Sequence, residues 1–408
     1  MRYIFVLFFL SHLGIVKAQS TDFLVVRGTV YDKASEEPVP YSHVTLKNRS
    51  IGTVVNEDGE FSFKIPMSSK TDTVSISAIG YTTQLIPVPS IESSFLEVIL
   101  IPESKILEEV VVTDINPEVL LKEVIRKIPD NYGRNPTQLT GFYNESVKIS
   151  DEYYSYLEGV ISTYKTGYDK KSIKEDQVKV IKGRKRDGKL ASDKTRQPPA
   201  VRAGPTAFNS YDFIKRRRNF LSNKKINLFH YELTDITNYN GMDVYIISFN
   251  PRKDSPKSFH QGRMYIETDS RAVIRIEFEM TPSGIDILNR KNVKNGKGSA
   301  FYVTATSMRA VLDYDLYGTE WALSQVRLSL GFDYLMEYTQ TTEQMDLGLH
   351  IITTDLKKRN IQPFSKEDAF KSKQLFATSL GKDDPLFWEN YNVLEQSNKL
   401  KAAFEGME

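Results

Sequence analysis

The chain has 408 residues, a length that suits two or three domains of ordinary size better than one compact domain. It contains no cysteine, which excludes disulfides, a thiolate nucleophile and any metal site with cysteine ligands. Its 54 Lys and Arg nearly balance its 52 Asp and Glu, so the chain as a whole has no strong positive field to attract nucleic acid.

The amino terminus has the pattern of an export signal. Arg2 supplies a positive charge, residues 3–16 are mostly apolar, and Ala18 is followed by polar residues. The apolar run is too short for a stop-transfer helix, and a small residue stands where a signal peptidase cuts. We therefore predict that residues 1–18 are a signal peptide cleaved after Ala18. The alternative is an uncleaved anchor.

Residues 23–102 alternate between short strands and turn residues, which is typical of an antiparallel β-sandwich. Within EFSFKIP, Phe61, Phe63 and Ile65 are predicted to point to one face. Gly59 precedes this strand and supplies the positive φ of a tight hairpin. The predicted strands are FLVVRGTVYD, PYSHVTLK, GTVV, EFSFKIP, DTVSISAIGY and FLEVILIP.

Many turn and core positions of this region occur in a distinctive order and spacing. They are Gly28, Val30, Asp32, Pro38, Pro40, Val44, Leu46, Gly52, Thr53, Asp58, Gly59, Phe61, Pro66, Ile79, Gly80 and Tyr81. The set resembles the carboxypeptidase regulatory-like domain, a transthyretin-like sandwich, in the version that Bacteroidetes place before outer-membrane transporters and other envelope proteins. The resemblance implies a non-catalytic domain over residues 19–104. It also implies a location in the periplasm or on the periplasmic face of the outer membrane.

The stretch ILEEVVVTD, residues 106–114, resembles the segment with which TonB-dependent transporters present a strand to their energy-coupling partner. Three consecutive β-branched residues extend readily, and an extended segment can pair with an open sheet edge. The predicted partner-binding residues are Glu109, Val110, Val111, Val112 and Thr113. Because no transporter plug is recognisable after it, we favour an internal role within a linker, residues 105–114. A coupling role is the alternative.

Residues 115–408 are predicted to form a second envelope domain of unknown function. The predicted fold class of the chain is mostly β, with a transthyretin-like sandwich followed by a curved, half-barrel-like antiparallel sheet and a few helices. One helix is expected from the Asn116 cap and Pro117 to Pro129. An apolar cavity or groove is expected on the sheet. A C-terminal segment from Asp384 is expected to dock through Phe387, Trp388, Tyr391 and Leu394.

The stretches YIISFNP, FHQGRMYI and AVI resemble an uncharacterised envelope domain that follows this sandwich in the same bacteria. The strand pattern is also similar to the half-barrel of periplasmic lipoprotein carriers. Neither resemblance implies a known active site. The implied partners are a lipid or an outer-membrane protein, and no nucleic acid.

Residues 165–225 are strongly basic, with 19 Lys or Arg against six Asp or Glu. The turn-forming stretches DG, RQPP and AGP indicate a solvated insertion. Contact with anionic lipid or polysaccharide head groups is the alternative interpretation.

Catalytic motifs do not stand out. The histidines beyond the signal are His43, His230, His260 and His350, and they form no His-Glu-x-x-His zinc motif. We predict no catalytic residue, no metal site and no cofactor, and we interpret His43 as structural.

Asp313 and Asp315 share one face of a predicted strand, and such alternating acidic residues usually mark a solvated face. The predicted function is that of a non-enzymatic exported cell-envelope protein binding a lipid, an apolar ligand or an outer-membrane partner. The alternatives are an enzyme with an unrecognised site in the C-terminal region and an accessory protein of a TonB-dependent transport system.

Overall fold

The protein is mostly β, which confirms the predicted fold class. The computed structural model describes residues 23–47, 49–91, 95–103, 115–169, 171–193, 198, 204–252, 259–292, 301–336, 340–371, 373–381 and 384–405. Two four-stranded sheets lie in the N-terminal part, and an open ten-stranded antiparallel sheet lies in the C-terminal part. The predicted signal peptide, residues 1–18, lies outside the described residues.

The N-terminal sandwich has its own core. One sheet has the strand order β4-β1-β8-β6 and the other β3-β2-β5-β7. Alternating side chains from both sheets meet between them, and Val30, Val44, Phe63 and Ile76 are completely buried there. The strands are β1 (Phe23–Asp32), β2 (His43–Leu46), β3 (Gly52–Val54), β4 (Glu60–Pro66), β5 (Thr73–Ser77), β6 (Tyr81–Thr82), β7 (Gln84–Pro87) and β8 (Phe95–Pro102).

Helix α1 (Pro117–Asn131) connects the sandwich region to the large sheet. The side chain of Asn116 accepts hydrogen bonds from the backbone N–H groups of Glu118 and Val119, so the predicted cap is confirmed. The helix does not stop at Pro129, and this part of the prediction is wrong. The last turn persists because Ile128 and Tyr132 on either side of the proline are buried in the core.

The large sheet is built from two meanders. Its order is β11-β10-β9-β18-β17-β16-β15-β14-β13-β12, so β11 and β12 are its edges and β9 pairs with β18. Its strands are β9 (Thr137–Ile149), β10 (Glu152–Lys165), β11 (Gln177–Asp187), β12 (Phe229–Tyr239), β13 (Met242–Pro251), β14 (His260–Glu267), β15 (Val273–Met280), β16 (Phe301–Tyr317), β17 (Glu320–Met336) and β18 (Thr341–Lys357). The remaining helices are α2 (Ala207–Ser210), α3 (Phe213–Arg216), α4 (Pro282–Asn292), α5 (Pro385–Trp388) and α6 (Asn398–Phe404).

The chain between β11 and β12 connects opposite edges of this sheet. Residues 204–228 of that connection pack with α1 against one face, which we call the helix-covered face, and Phe208, Phe220 and Leu221 are buried there. The prediction of a solvated insertion over residues 165–225 is therefore wrong for residues 204–225. A connection between opposite edges has to cross the sheet, so its apolar side chains become core. The same packing covers the face on which an apolar groove was expected.

The opposite face, which we call the sandwich-covered face, carries the N-terminal sandwich and the C-terminal segment, residues 384–405. Val54 of the sandwich, Phe142 and Ile352 of the sheet, and Trp388 of the C-terminal segment share one buried cluster. Nζ of Lys64 donates hydrogen bonds to the carbonyl oxygens of Trp388 and Tyr391, at 2.6 and 2.9 Å. The predicted docking of the C-terminal segment is confirmed.

Candidate functional site

Three cross-strand rows on the sandwich-covered face form the floor of a cavity. They cross β16, β17, β18, β9 and β10, because directly opposite residues on antiparallel strands share a face. The first row is Val311, Arg327, His350, Asn144 and Glu158. The second is Arg309, Ser329, Gly348, Ser146 and Tyr156, and the third is Ser307, Gly331, Asp346, Lys148 and Tyr153.

Small residues occupy the middle of the second row and the beginning of the third. Ser329, Gly348 and Ser146 are neighbours in the second row, and Ser307 and Gly331 begin the third. A Cβ on Gly348 would meet Oγ of Ser146 at 2.7 Å, and one on Gly331 would meet Oγ of Ser307 at 2.6 Å. The floor is therefore nearly at the level of the backbone, which leaves space above it.

That space is a cavity of about 530 Å³, within the usual range of small-molecule sites. Arg309 lies towards one end of the floor, and Tyr153 and Tyr156 lie towards the other. The sandwich and the C-terminal segment supply the other walls through Tyr41, Asn56, Glu57, Leu394, Glu395, Gln396, Ser397 and Leu400. Because three parts of the chain meet here, we call it the interface cavity.

The C-terminal segment is fixed to both neighbours of the cavity. The backbone N–H of Asn398 donates to the Asp58 carboxylate of the sandwich at 2.6 Å. On the sheet side, Arg186 donates to the side-chain oxygen of Gln396 at 3.0 Å. This wall of the cavity is therefore held by contacts in two directions.

The first row contains buried polar atoms that the described residues leave without a hydrogen-bond partner. They are Nε of Arg327 and Nε2 of His350. The ring of Tyr41 covers the Arg327 guanidinium, 3.8 Å from its centroid, and meets the His350 ring edge-on. An unsatisfied buried polar atom costs about 1–3 kcal/mol, so this row is not optimised for stability alone.

The cavity presents both signs of charge at neutral pH. Burial, reinforced by Arg327, lowers the pKa of His350 to about 3, so this imidazole is neutral. Burial raises the pKa of Tyr153 to about 12, so its hydroxyl stays protonated. The charged lining residues are the cations Lys148, Arg309 and Arg327 and the carboxylates Glu57, Asp151, Asp346 and Glu395.

Asp313 and Asp315 were expected on a solvated face, but Asp313 is buried and Asp315 is largely covered beneath the sandwich, so that expectation is wrong. Asp313 forms an ion pair with Arg275, and Asp315 lies 2.6 Å from Nδ1 of His43. Alternation along β16 shows which residues share a face but not that a second domain covers it. His230 is exposed on the edge strand β12.

The whole predicted linker, residues 105–114, lies outside the described residues. It includes the predicted partner-binding residues Glu109, Val110, Val111, Val112 and Thr113. Within the described ranges, no group of three or more His, Cys, Asp or Glu side chains is placed to hold a metal ion. None of the helices in those ranges is long and apolar enough to cross a membrane.

Residues 26–112 match the family model of the CarboxypepD_reg-like domain. The resemblance of the sandwich to this family is therefore confirmed. The match begins in β1 and extends beyond β8. No curated protein matches the chain.

Two solved structures align over a large part of the chain. One is described as an outer membrane lipoprotein-sorting protein domain from Vibrio parahaemolyticus, with 13% identity, coverage of 62% of this chain and 97% of that one, and a TM-score of 0.25. The other is a DUF1329 family protein from Desulfovibrio piger, with 9% identity, coverage of 60% and 94%, and a TM-score of 0.24. Neither alignment establishes a function for this chain.

Sequence reasoning missed the residues of the interface cavity. Ser329 and Gly331 alternate with the apolar Leu328 and Leu330 along β17, and Gly348 stands between two leucines on β18. Small residues at every second position of one strand face are a signal for a close approach or a cavity. Their position side by side depends on the pairing of β9 with β18, which local patterns do not reveal.

Proposed function

We propose that the protein is a non-enzymatic, exported protein of the cell envelope that binds a lipid through its polar head group in the interface cavity. The family match of residues 26–112 supports a non-catalytic N-terminal domain. The export pattern of residues 1–18 supports a location in the periplasm or on the periplasmic face of the outer membrane.

The small-residue floor is the observation that carries this proposal. Domain interfaces usually fill with side chains at crystal-like density, whereas here serine and glycine leave about 530 Å³ between three parts of the chain. Tyr153, Tyr156 and Leu400 provide apolar surface at its side. The floor thus offers space for the glycerol and first methylenes of a lipid.

The charges of the cavity favour a zwitterionic head group. Lys148 and Asp346 are direct cross-strand neighbours in the third row, so opposite charges stand side by side on the floor. A phosphate can pair with Lys148 while an ammonium pairs with Asp346. A ligand with no head group would remove water from these charges and offer them no polar group in return, which costs free energy.

Native mass spectrometry of the full mature chain tests the proposal. The protein is incubated with vesicles of phosphatidylethanolamine and phosphatidylglycerol and then separated from them. We expect one bound phosphatidylethanolamine. Ser329→Trp fills the cavity from an exposed position, so it should weaken binding about tenfold, equivalent to about 1.4 kcal/mol, without disturbing the core.

Thr234→Trp is the matched control, because Thr234 is exposed on β12 and does not line the interface cavity. This variant should bind as the parent does. A folded parent protein that takes up no lipid would contradict the proposal, as would equal binding by Ser329→Trp.

For residues 109–113, we propose that the segment serves inside the protein as the connector leaving the sandwich and pairs with one of its own sheets. Val111→Pro removes one backbone donor, so it should lower the free energy of unfolding by about 1–3 kcal/mol. Urea unfolding measures this change. Unchanged stability, together with site-directed crosslinks from this segment to a TonB-type protein that the proline abolishes, would favour the coupling role instead.

A further inference from the structure

A second cavity lies at the seam between the sandwich and the large sheet, away from the interface cavity. It has a volume of about 530 Å³ and is bounded by the outer face of the sheet containing β2 and β5, the β12–β13 hairpin and the end of β16. The pairing of His43 with Ser77 and of Thr45 with Ser75 places these four side chains on one face. We call this space the seam cavity.

His43 is the most buried charged group that lines it. The residue is only 6% exposed, and Nδ1 lies 2.6 Å from the Asp315 carboxylate. Asp315 is held in turn by the hydroxyl of Tyr239, which donates to it at 2.7 Å. No hydrogen bond among the described residues engages Nε2 of His43, so this second ring nitrogen remains available to a ligand in the cavity.

The contact with Asp315 favours the protonated imidazole, which is the form that can donate from Nε2. Burial alone would lower the pKa of His43, but the charge and hydrogen bond of Asp315 outweigh it and raise the pKa above its ordinary value. Behind this pair, Asp313 and Arg275 form an ion pair with each other, so their opposite effects on the pKa of His43 largely cancel. A protonated imidazole carries an N–H on both nitrogens, so the one not facing Asp315 is a charged donor.

The rim adds further positive charge. Lys47 and Arg49 line the cavity from the end of β2, and Glu103 is the carboxylate on the other side. Arg49 pairs with Asp72 at 3.0 Å, while Glu103 accepts from the hydroxyl of Thr82 at 3.4 Å. The hydroxyl groups of Thr45, Ser75, Ser77, Thr82 and Thr83 surround the space between them.

We propose that the seam cavity binds a phosphate group, with Nε2 of His43 and Nζ of Lys47 as charged donors and the hydroxyls of Thr45 and Ser75 as neutral ones. Charge-assisted hydrogen bonds to phosphate are roughly twice as strong as neutral ones, and hydroxyls adapt to its remaining oxygens. The phosphate is either a free ion or part of a lipid head group. This site is independent of the lipid proposed for the interface cavity.

Histidine NMR of the full mature chain tests the site, because only four histidines remain after residue 18. The His43 signal is identified by its absence from His43→Gln. Added inorganic phosphate should shift this signal saturably and raise the pKa of His43, whereas sodium chloride at equal ionic strength should not. Lys47→Gln should weaken phosphate binding about tenfold while leaving the fold and the Asp315 contact intact.

Lys33→Gln is the matched control, since Lys33 is an exposed lysine of the same domain that does not line the cavity. It should bind phosphate as the parent does. If phosphatidic acid vesicles saturate the shift of the His43 signal at a lower phosphate concentration than inorganic phosphate does, the source of the phosphate is a lipid. Saturation by inorganic phosphate alone identifies the free ion.

Three results would overturn the proposal. One is a His43 signal that neither phosphate source shifts, and another is an equal shift with chloride. The third is phosphate binding that Lys47→Gln leaves unchanged. The variant Ser329→Trp separates this site from the interface cavity, because it should weaken only the lipid binding proposed there and leave phosphate binding at His43 unchanged.

Discussion

At the scale of single residues, a buried ion network explains how a basic segment becomes part of the core. Nζ of Lys165 lies 2.6 Å from the Asp212 carboxylate, and Nζ of Lys215 lies 2.6 Å from the Asp176 carboxylate. The hydroxyls of Tyr168 and Tyr314 also donate to Asp212. Burial alone would raise the pKa of Asp212, but Lys165 and the hydroxyl donors outweigh it and lower the pKa.

Removing one member of this network should be strongly destabilising. Asp212→Ala leaves Lys165 as a buried charge without its carboxylate, so the free energy of unfolding should fall by about 3–5 kcal/mol. Urea unfolding monitored by circular dichroism measures the change. Lys399→Ala is the control, because Lys399 and Asp151 form an exposed ion pair whose loss should have a much smaller effect. Equal effects of both substitutions would contradict the account.

Glu145 should make stability depend on pH. It is buried on β9 and accepts a short hydrogen bond from the hydroxyl of Tyr143. Burial raises its pKa from 4.5 to about 7. Because the folded pKa is above the unfolded one, its contribution is fully present below pH 4.5 and is lost as the pH rises through 7.

The variant Glu145→Gln isolates this contribution from other titrating groups, including His43. It keeps a neutral acceptor for Tyr143, so its stability at pH 4.5 should match the parent's. At pH 8 it should be more stable than the parent by roughly 3 kcal/mol. Denaturant unfolding at both pH values provides the comparison. A stability difference that does not change with pH would show that Glu145 has an ordinary pKa in the folded protein.

Residue patterns predicted local structure better than they predicted whether a side chain is buried or exposed. The cap at Asn116 depends on its immediate neighbours, and the structure shows it as predicted. The burial of Asp313 and of Asp212 depends instead on a docked domain and on a crossing connection, respectively. The basic excess of residues 165–225 is likewise offset by distant carboxylates: Lys179 pairs with Asp368.

At the scale of elements, β18 shows why a strand of the large sheet can be hard to recognise from its sequence. β18 reads TTEQMDLGLHIITTDLK, and several of its polar residues face the sandwich and the interface cavity instead of water. A strand with polar groups on a buried face lacks the usual apolar alternation. β11 is a basic edge strand, which is a common way of preventing further strand addition.

One side chain of the C-terminal segment makes the backbone hydrogen bonds that a neighbouring strand would make at the edge of β4. The side-chain oxygen of Asn392 accepts from the backbone N–H of Lys64 at 2.7 Å, and its amide donates to the Lys64 carbonyl at 3.2 Å. Asn392→Ala removes both bonds, so it should lower the free energy of unfolding by about 1–3 kcal/mol. Hydrogen exchange at the Lys64 amide should also become faster.

Asn390→Ala is a control of the same chemistry. Asn390 is exposed, and its side chain donates only to the carbonyl of Leu386 within the same segment. Its loss should change stability by about 0.5 kcal/mol or less. If the Lys64 amide hydrogen exchanges at the parent's rate in Asn392→Ala as well as in Asn390→Ala, the segment does not secure the sandwich.

At the scale of the whole molecule, the two faces of the large sheet differ in what they hold. The helix-covered face holds the main apolar core, and the sandwich-covered face holds polar rows and cavities. The fold classes of both regions could be predicted from strand patterns and from the residues that resemble the sandwich family. Their docking was not, because it depends on pairings such as Ser50 with Leu356, which are far apart in sequence.

The sandwich should fold without the large sheet. Its cluster of buried residues is separate from that of the large sheet, so residues 19–104 contain a complete core. We expect a fragment of these residues to unfold in one cooperative thermal transition, which calorimetry measures. A soluble fragment with no such transition would show that the domain boundary, or the independence of this core, is wrong.

The central claim is that a lipid head group occupies the interface cavity, and a crystal structure of the mature chain with phosphatidylethanolamine tests it most directly. We predict head-group density above Ser329 and Gly348, with the phosphate near Lys148 and the ammonium near Asp346. Lipid density only elsewhere on the protein, with none above Ser329 and Gly348, would contradict the claim.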